Sequence, residues 1–189
     1  MAHFGPDYLE SFTLRDGRPA RLVALRPEHA TIVTEGFAKL SDRSRYLRFF
    51  GPKRALTDTD LHRLLTQDGD ERYAMAVVID GAAGPEGVAL GRLVRSDRAP
   101  GTAEIAITVL DAYQRHGLGR LLLDRLQQAA RAHGYARIRG EVLAENRPML
   151  ALLRRAIPNL RTQLDGIVVE VEWDLPAFGA RPEEARSAA

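Results

Sequence analysis

The chain has 189 residues, 45% of them hydrophobic, a formal net charge of +2 and no cysteine. That length can bury one sizeable core, and the missing cysteines exclude disulfides, thiolate metal sites and a cysteine nucleophile. No apolar run reaches membrane length, and the N-terminal MAHFGPDYLE has neither a basic n-region nor an apolar h-region, so no spanning helix or signal peptide is expected and a cytoplasmic location is.

The sequence pI of about 9.2 reflects arginine far outnumbering lysine, which occurs only as Lys39 and Lys53. No basic run interleaves with aromatics, so no nucleic-acid surface is expected. The five histidines show no paired ligand spacing, and no metal site is expected.

In chain order, residues 11–25 predict two short strands around an Asp16-Gly17 turn, a dipeptide suited to a hairpin in which both central residues take positive φ. Pro27 suits the first turn of a helix to about Leu40, with Ala30, Val33, Phe37 and Leu40 on one face. SDRSRYLRFFGP predicts a second helix stopped by Gly51-Pro52, and TDTDLHRLLTQ a third, capped by Thr57 with Asp60 three residues on. YAMAVVIDG and GVALGRLVRS follow as strands around a Gly/Pro-rich turn. After residues 103–123 come a strand ARIRGEVL, a helix from about Asn146 to Ile157, and strands LRTQL and IVVEVEW around Asp165-Gly166. Residues 1–10 read as an N-terminal extension, 11–175 as one domain and 176–189 as a disordered tail.

The segment AEIAITVLDAYQRHGLGRLLL, residues 103–123, carries the chemistry. Its strand points Ile105, Ile107 and Val109 to one face and Glu104, Ala106 and Thr108 to the other. The second face sets a carboxylate among small residues and leaves room for a ligand to lie on the sheet. Gly117 and Gly119 then open a helix with Leu118, Leu121, Leu122, Leu126, Ala129 and Ala130 on its buried stripe. At that helix start the backbone N–H groups lack intrahelical partners and glycine admits close approach, as a phosphate requires. The spacing is not that of a Walker loop, and Leu122 stands where a dinucleotide fingerprint needs its third glycine.

Gln114-Arg115-His116-Gly117-Leu118-Gly119 is a Q-x-x-G-x-G sequence and resembles the acyl-CoA pyrophosphate loop of the GNAT superfamily of N-acetyltransferases. RFF at 48–50 and GEVLAENRPML at 140–150 look like the flanking segments of Pat-type protein acetyltransferases. The resemblance spans roughly residues 10–175. It implies a single-domain α/β GNAT fold, a mixed and mostly antiparallel twisted sheet flanked by helices, with a cleft between the fourth and fifth core strands. It also implies acetyl-CoA as co-substrate, its pantetheine arm along Ile107, Thr108 and Val109 and its pyrophosphate on N–H groups from Arg115 through Arg120, with Asn146 contacting the arm. Asn146 reads equally as a plain helix cap. Arg115 and Arg120 read also as solvated charges, and His116 as an exposed donor.

Attack of an amine on a thioester needs a base, because an ammonium group of pKa about 10.4 is not a nucleophile. Glu104 is the first candidate, Glu141 the second, and either could be an ordinary strand carboxylate. Many relatives carry a tyrosine acid seven residues after the asparagine, where this chain has Leu153; a thiol of pKa about 8.5 leaves readily enough that water can serve. The Val109 N–H is the expected oxyanion donor. The acceptor is a primary amine, on a protein lysine or a small molecule, and a homodimer is compatible with the family. No Gly-x-Ser-x-Gly elbow or His-Glu-x-x-His motif supports a hydrolase. The competing reading is an acyl-CoA sensor without turnover.

Overall fold

The computed structural model describes residues 4–68, 71–82 and 84–176. Strands β1 (Leu9–Thr13) and β2 (Pro19–Ala24) form the first hairpin. Only Gly17 of the expected Asp16-Gly17 pair has positive φ (88°), because Asp16 instead accepts the Arg18 N–H and binds its guanidinium. Phe4 is buried and stacks on Tyr8, and Glu10 pairs with Arg125, so the segment before the hairpin packs on the domain. Of the expected tail, residues 177–189 lie outside the described residues.

Pro27 opens a single 3-10 turn that continues into α1 (Ala30–Ala38), burying Val33 and Phe37. Helix α2 (Asp42–Phe49) starts on a Ser41 cap and ends at Phe50, which takes the left-handed conformation one residue before the expected Gly51 stop. Helix α3 (Asp58–Leu65) has the full capping box, Thr57 accepting the Asp60 N–H and Asp60 accepting the Thr57 N–H. Strands β3 (Arg72–Gly81) and β4 (Gly84–Arg95) run further into their turn than the Gly/Pro content suggested, since Pro85 and Glu86 still pair with Asp80 and Ile79. Then follow β5 (Thr102–Val109), α4 (Leu118–Ala132), β6 (Arg137–Leu143), α5 (Arg147–Ala156), β7 (Arg161–Asp165) and β8 (Val168–Asp174). On α4 the buried stripe includes Leu123, with Leu121 only partly covered.

All eight strands form one sheet in the order β1-β2-β3-β4-β5-β6-β8-β7. Every pairing is antiparallel except β5 with β6. Helix α4 covers one face: a Cβ on Gly91 would meet Leu126 Cδ1 at 3.1 Å. Helices α1 and α3 cover the other face, where Val33 and Leu65 pack on Ala74, Ala76 and Val78. Register then assigns the faces of β5. Ile107 lies opposite Gly91 and Ile105 opposite Leu93, on the α4 side; Thr108, Ala106 and Glu104 lie opposite Leu90, Arg92 and Val94, on the α1–α3 side.

Only Thr102, Ala103 and Glu104 of β5 pair with β6, through Arg137, Ile138 and Arg139. Beyond Glu104 each strand keeps its antiparallel neighbour, β4 or β8, and their shared parallel contact is given up. The sheet opens there into a fork, between the fourth and fifth strands counted from β2. Among the described residues no helix is long and apolar enough to cross a membrane.

Candidate active site

The fork is a cleft of about 580 Å³ lined by β5, β6, the end of α2 and the start of α5. From Ile105 to Val109 the edge of β5 facing β6 has no strand partner; a side chain takes Val109 O, and the remaining backbone groups need water or a ligand. Glu104 stands at the crotch, as the last residue of β5 paired with β6. Its Oε1 accepts the Ser96 hydroxyl at 2.9 Å and lies 3.9 Å from Arg139 Nε. Arg139 is shared with Glu170 at 3.5 Å. Glu141 lines the same cleft on the β6 arm, its Oε1 3.5 Å from Arg98 Nη1. Both carboxylates remain close to half exposed and open to water.

At the other end of β5, a 3-10 turn at Asp111–Tyr113 leads into the glycine-spaced loop. Asp111 accepts the Ser41 N–H and the Ser41 and Ser44 hydroxyls, tying α2 to the loop. Against partial burial, which acts upward, these donors hold its carboxyl below the usual range. The Gln114 carboxamide donates to Val109 O at 3.2 Å and Ser44 Oγ at 3.3 Å, so it fastens the loop to the strand. Arg115 (φ 63°) and Gly117 (φ 90°) are both left-handed. The first intrahelical N–H bond of α4 is Leu121 to Gly117 O, and the N–H groups of Leu118, Gly119 and Arg120 precede it. Leu118 has its side chain in the core, so only its backbone is available to a ligand. Arg120 is paired with Asp124 at 2.9 Å. His116 is half-buried rather than exposed, its Nδ1 enclosed without a partner.

Asn146 caps α5, its Oδ1 accepting the Met149 N–H at 3.3 Å, and lines the cleft. The cap reading and the ligand reading are thus compatible, since the amide NH2 is left to serve the cleft. Leu153, in place of a tyrosine, is buried in the apolar wall with Met149 and Trp173.

Arg15 and Arg92 escaped sequence reasoning. Arg15 at the tip of the first hairpin reaches the glycine loop: a Cβ on Gly117 would lie 3.6 Å from its Nε. Arg18 anchors that tip on the Tyr113 hydroxyl at 3.2 Å. Arg48 and Arg92 enter from α2 and β4. Burial, with Arg92 second, pushes Arg48 down to about 10, and burial also lowers Arg92.

An open strand edge running from a carboxylate to a cradle of free N–H groups and an arginine fits an extended ligand with an anionic end. Such a forked sheet is the architecture of an acyl-CoA-binding fold. The Acetyltransferase (GNAT) family profile matches residues 40–156, and the chain belongs to that family, whose members use acetyl-CoA. It is 30% identical over 174 residues to acetyltransferase Pat of Mycolicibacterium smegmatis, covering 90% of this chain and 50% of Pat. It therefore spans about half the length of that relative. Acetyltransferase PA5475 of Pseudomonas aeruginosa is 28% identical, with 77% of this chain and 76% of that protein covered. Among solved structures, the GNAT domain of S. lividans PAT superimposes with a TM-score of 0.79 at 31% identity, covering 88% of this chain and 97% of that one.

Proposed function

We propose that the chain transfers an acetyl group from acetyl-CoA to a primary amine in the β5–β6 fork, with Glu104 as general base. The observation that carries this reading is the position of Glu104 at the crotch, at the far end of the unpaired strand edge from the free N–H groups of Leu118, Gly119 and Arg120. In this reading the loop holds the pyrophosphate, Arg15 adds a counter-charge, and Ile107, Thr108 and Val109 hold the pantetheine arm with Asn146. Glu104 takes a proton from the acceptor ammonium. The freed amine forms the new N–C bond as the C–S bond breaks, the Val109 N–H meets charge growing on the carbonyl oxygen, the sulfur leaves as thiolate, and the second proton of the attacking nitrogen passes through water to that thiolate. Water is the acid, because Leu153 holds the tyrosine's place. Ser96 and Arg139 orient Glu104, and Glu141 is the alternative base. The reading keeps the cytoplasmic location suggested by the sequence and leaves the amine on a protein lysine or a small molecule.

The buried Leu153 also suits a module that binds acyl-CoA without turnover. Free thiol released from acetyl-CoA over a panel of amines and lysine peptides, with the product mass measured, separates the two. Release coupled to a mass gain on one acceptor supports transfer; binding with no release on any acceptor supports the sensor.

A further inference from the structure

Beside the fork lies a second cavity, of about 120 Å³, between helices α1 to α3 and the β4–β5 face that carries Thr108. Cavities of about 150 Å³ hold a ligand the size of benzene. Its walls are largely apolar, with Ile32, Phe37 and Leu64 among them, yet Arg48, Arg63 and Arg92 also line it. Arg48 and Phe49 border both this cavity and the fork, so the two spaces adjoin. Among the described residues the one carboxylate in its lining is Asp60. That carboxylate is engaged elsewhere: its Oδ2 meets Lys53 Nζ at 2.7 Å and accepts the Thr57 N–H and hydroxyl at 2.8 Å.

None of the three arginines forms an ion pair or hydrogen bond with a described residue. Arg92 Nε is buried without a partner, and the Arg48 guanidinium rests 5.0 Å from the Phe49 ring centroid. The Asp60 and Glu104 carboxylates reach Arg92 only through space; cations drawn out of water without a directly paired counter-ion are costly to a fold, and planar guanidiniums so placed are ready to bind a carboxylate through two parallel N–H donors. Register fixes where such a carboxylate would lie. Arg92 is opposite Ala106, and Glu104 is its diagonal neighbour on the same face, roughly 7–8 Å away.

We propose that this cavity is the acceptor subsite and binds a carboxylate: the acceptor is a small aliphatic amino acid, its carboxylate held by Arg48 and Arg92 and its amine directed to Glu104. The proposal rests on the reading of the fork as the acyl-donor site. Arg63, exposed at the rim, supplies attraction without a fixed contact. The apolar wall takes the side chain. A protein lysine, whose amine sits at the end of a long neutral stem, has no group for these arginines.

The test uses the full chain, aliphatic amino acids with their amides (leucine and leucinamide among them), and 4-methylpentanoate, which has the carboxylate and carbon chain but no amine. Leucine should be the better acceptor by tenfold or more, and 4-methylpentanoate should raise the melting temperature and compete with it. Arg92→Gln should lower kcat/KM for leucine about a hundredfold, chiefly through KM, erase the preference over leucinamide, and leave acetyl-CoA affinity by calorimetry unchanged. Arg48→Gln should do the same, so a fold defect in one variant leaves the other to decide. Equal use of leucine and leucinamide, or a lysine peptide that outperforms both and ignores the substitutions, overturns the proposal. A loss in Arg92→Gln that appears only with succinyl-CoA and a neutral amine also overturns it, by putting the carboxylate on the acyl group. If 4-methylpentanoate fails to bind a protein that binds acetyl-CoA, the cavity assignment alone falls. If 4-methylpentanoate binds and acetyl-CoA does not, the donor-site reading falls and the acceptor role with it.

Discussion

The two halves of the proposed site are built from different materials. The donor half is backbone: an unpaired strand edge, two left-handed residues and three free N–H groups before α4 takes up its hydrogen bonding. The acceptor half is side chain: arginines from α2, α3 and β4 over an apolar cavity, with Glu104 where the halves meet. Backbone donors are set by the fold and change little with surface sequence, whereas a cluster of side chains can be rewritten one substitution at a time. One donor can thereby be kept while acceptors vary.

The largest effect that can break this division belongs to the residue at the junction. Glu104→Gln keeps the Ser96 contact but cannot take a proton, so turnover at neutral pH should fall by roughly 10² to 10⁴ with acetyl-CoA affinity nearly intact. Raising the pH should restore part of the rate, because an amine deprotonated by solvent no longer needs the carboxylate. Glu141→Gln should change the rate by no more than about a few-fold. A pH–rate profile for both variants decides between them, and a large, pH-rescued loss in Glu141→Gln alone would reverse the assignment.

Next in size is the loop. Gly119→Asp places a carboxylate at the start of α4, where the helix itself tolerates or welcomes negative charge. Its Cβ would meet only the end of the Leu152 side chain, at 3.2 Å, so the fold should survive. A like charge at about 4 Å near a surface opposes an anion by up to about 4 kcal/mol, and acetyl-CoA affinity should drop by about a hundredfold or more. Arg15→Gln should cost about tenfold or less, since its cation acts from outside the backbone cradle. Calorimetry on both variants orders the two contributions, and equal losses would mean that the cradle depends on the Arg15 side chain as much as on backbone.

How much of this was legible in the sequence follows the same division. The loop was readable because Gln114 to Gly119 are consecutive and their chemistry is local. Thr57 and Asp60 were readable for the same reason. The fork came from resemblance, since no residue pattern announces where a parallel pair separates. Arg15 and Arg92 were not readable: in a chain so rich in arginine, nothing local separates a paired surface guanidinium such as Arg21, bonded to Asp80 at 2.6 Å, from one drawn into a cavity. Leu123 was missed on α4 because the stripe is wider than one row of leucines.

A smaller effect sharpens the acceptor half. Removing an unpaired buried donor relieves a cost of about 1–3 kcal/mol, so Arg92→Met should raise the melting temperature of the ligand-free protein by a few degrees while impairing turnover. Arg48 works in the same sense. Burial disfavours its charged form, so its cost to stability is in full force at neutral pH. A lowered melting temperature in Arg92→Met would mean the guanidinium has a partner after all.

Smallest is the α3 cap that walls the cavity. The Lys53 ammonium, with the Thr57 N–H second, holds Asp60 down to about 2. Its stabilisation is therefore fully present above about pH 4 and disappears as pH falls toward 2. Thr57→Ala should cost about 1 kcal/mol, seen in denaturant melts, with acetyl-CoA affinity unaffected.

The most direct measurement on the central claim, that the fork and its loop form the acyl-donor site, is the melting temperature of the wild-type chain and of Gly119→Asp with and without millimolar acetyl-CoA. Ligand at 100 times its dissociation constant adds about 2.7 kcal/mol to stability. Wild type should show a clear rise, and the variant little or none. No rise in wild type, or an equal rise in both, would contradict that claim.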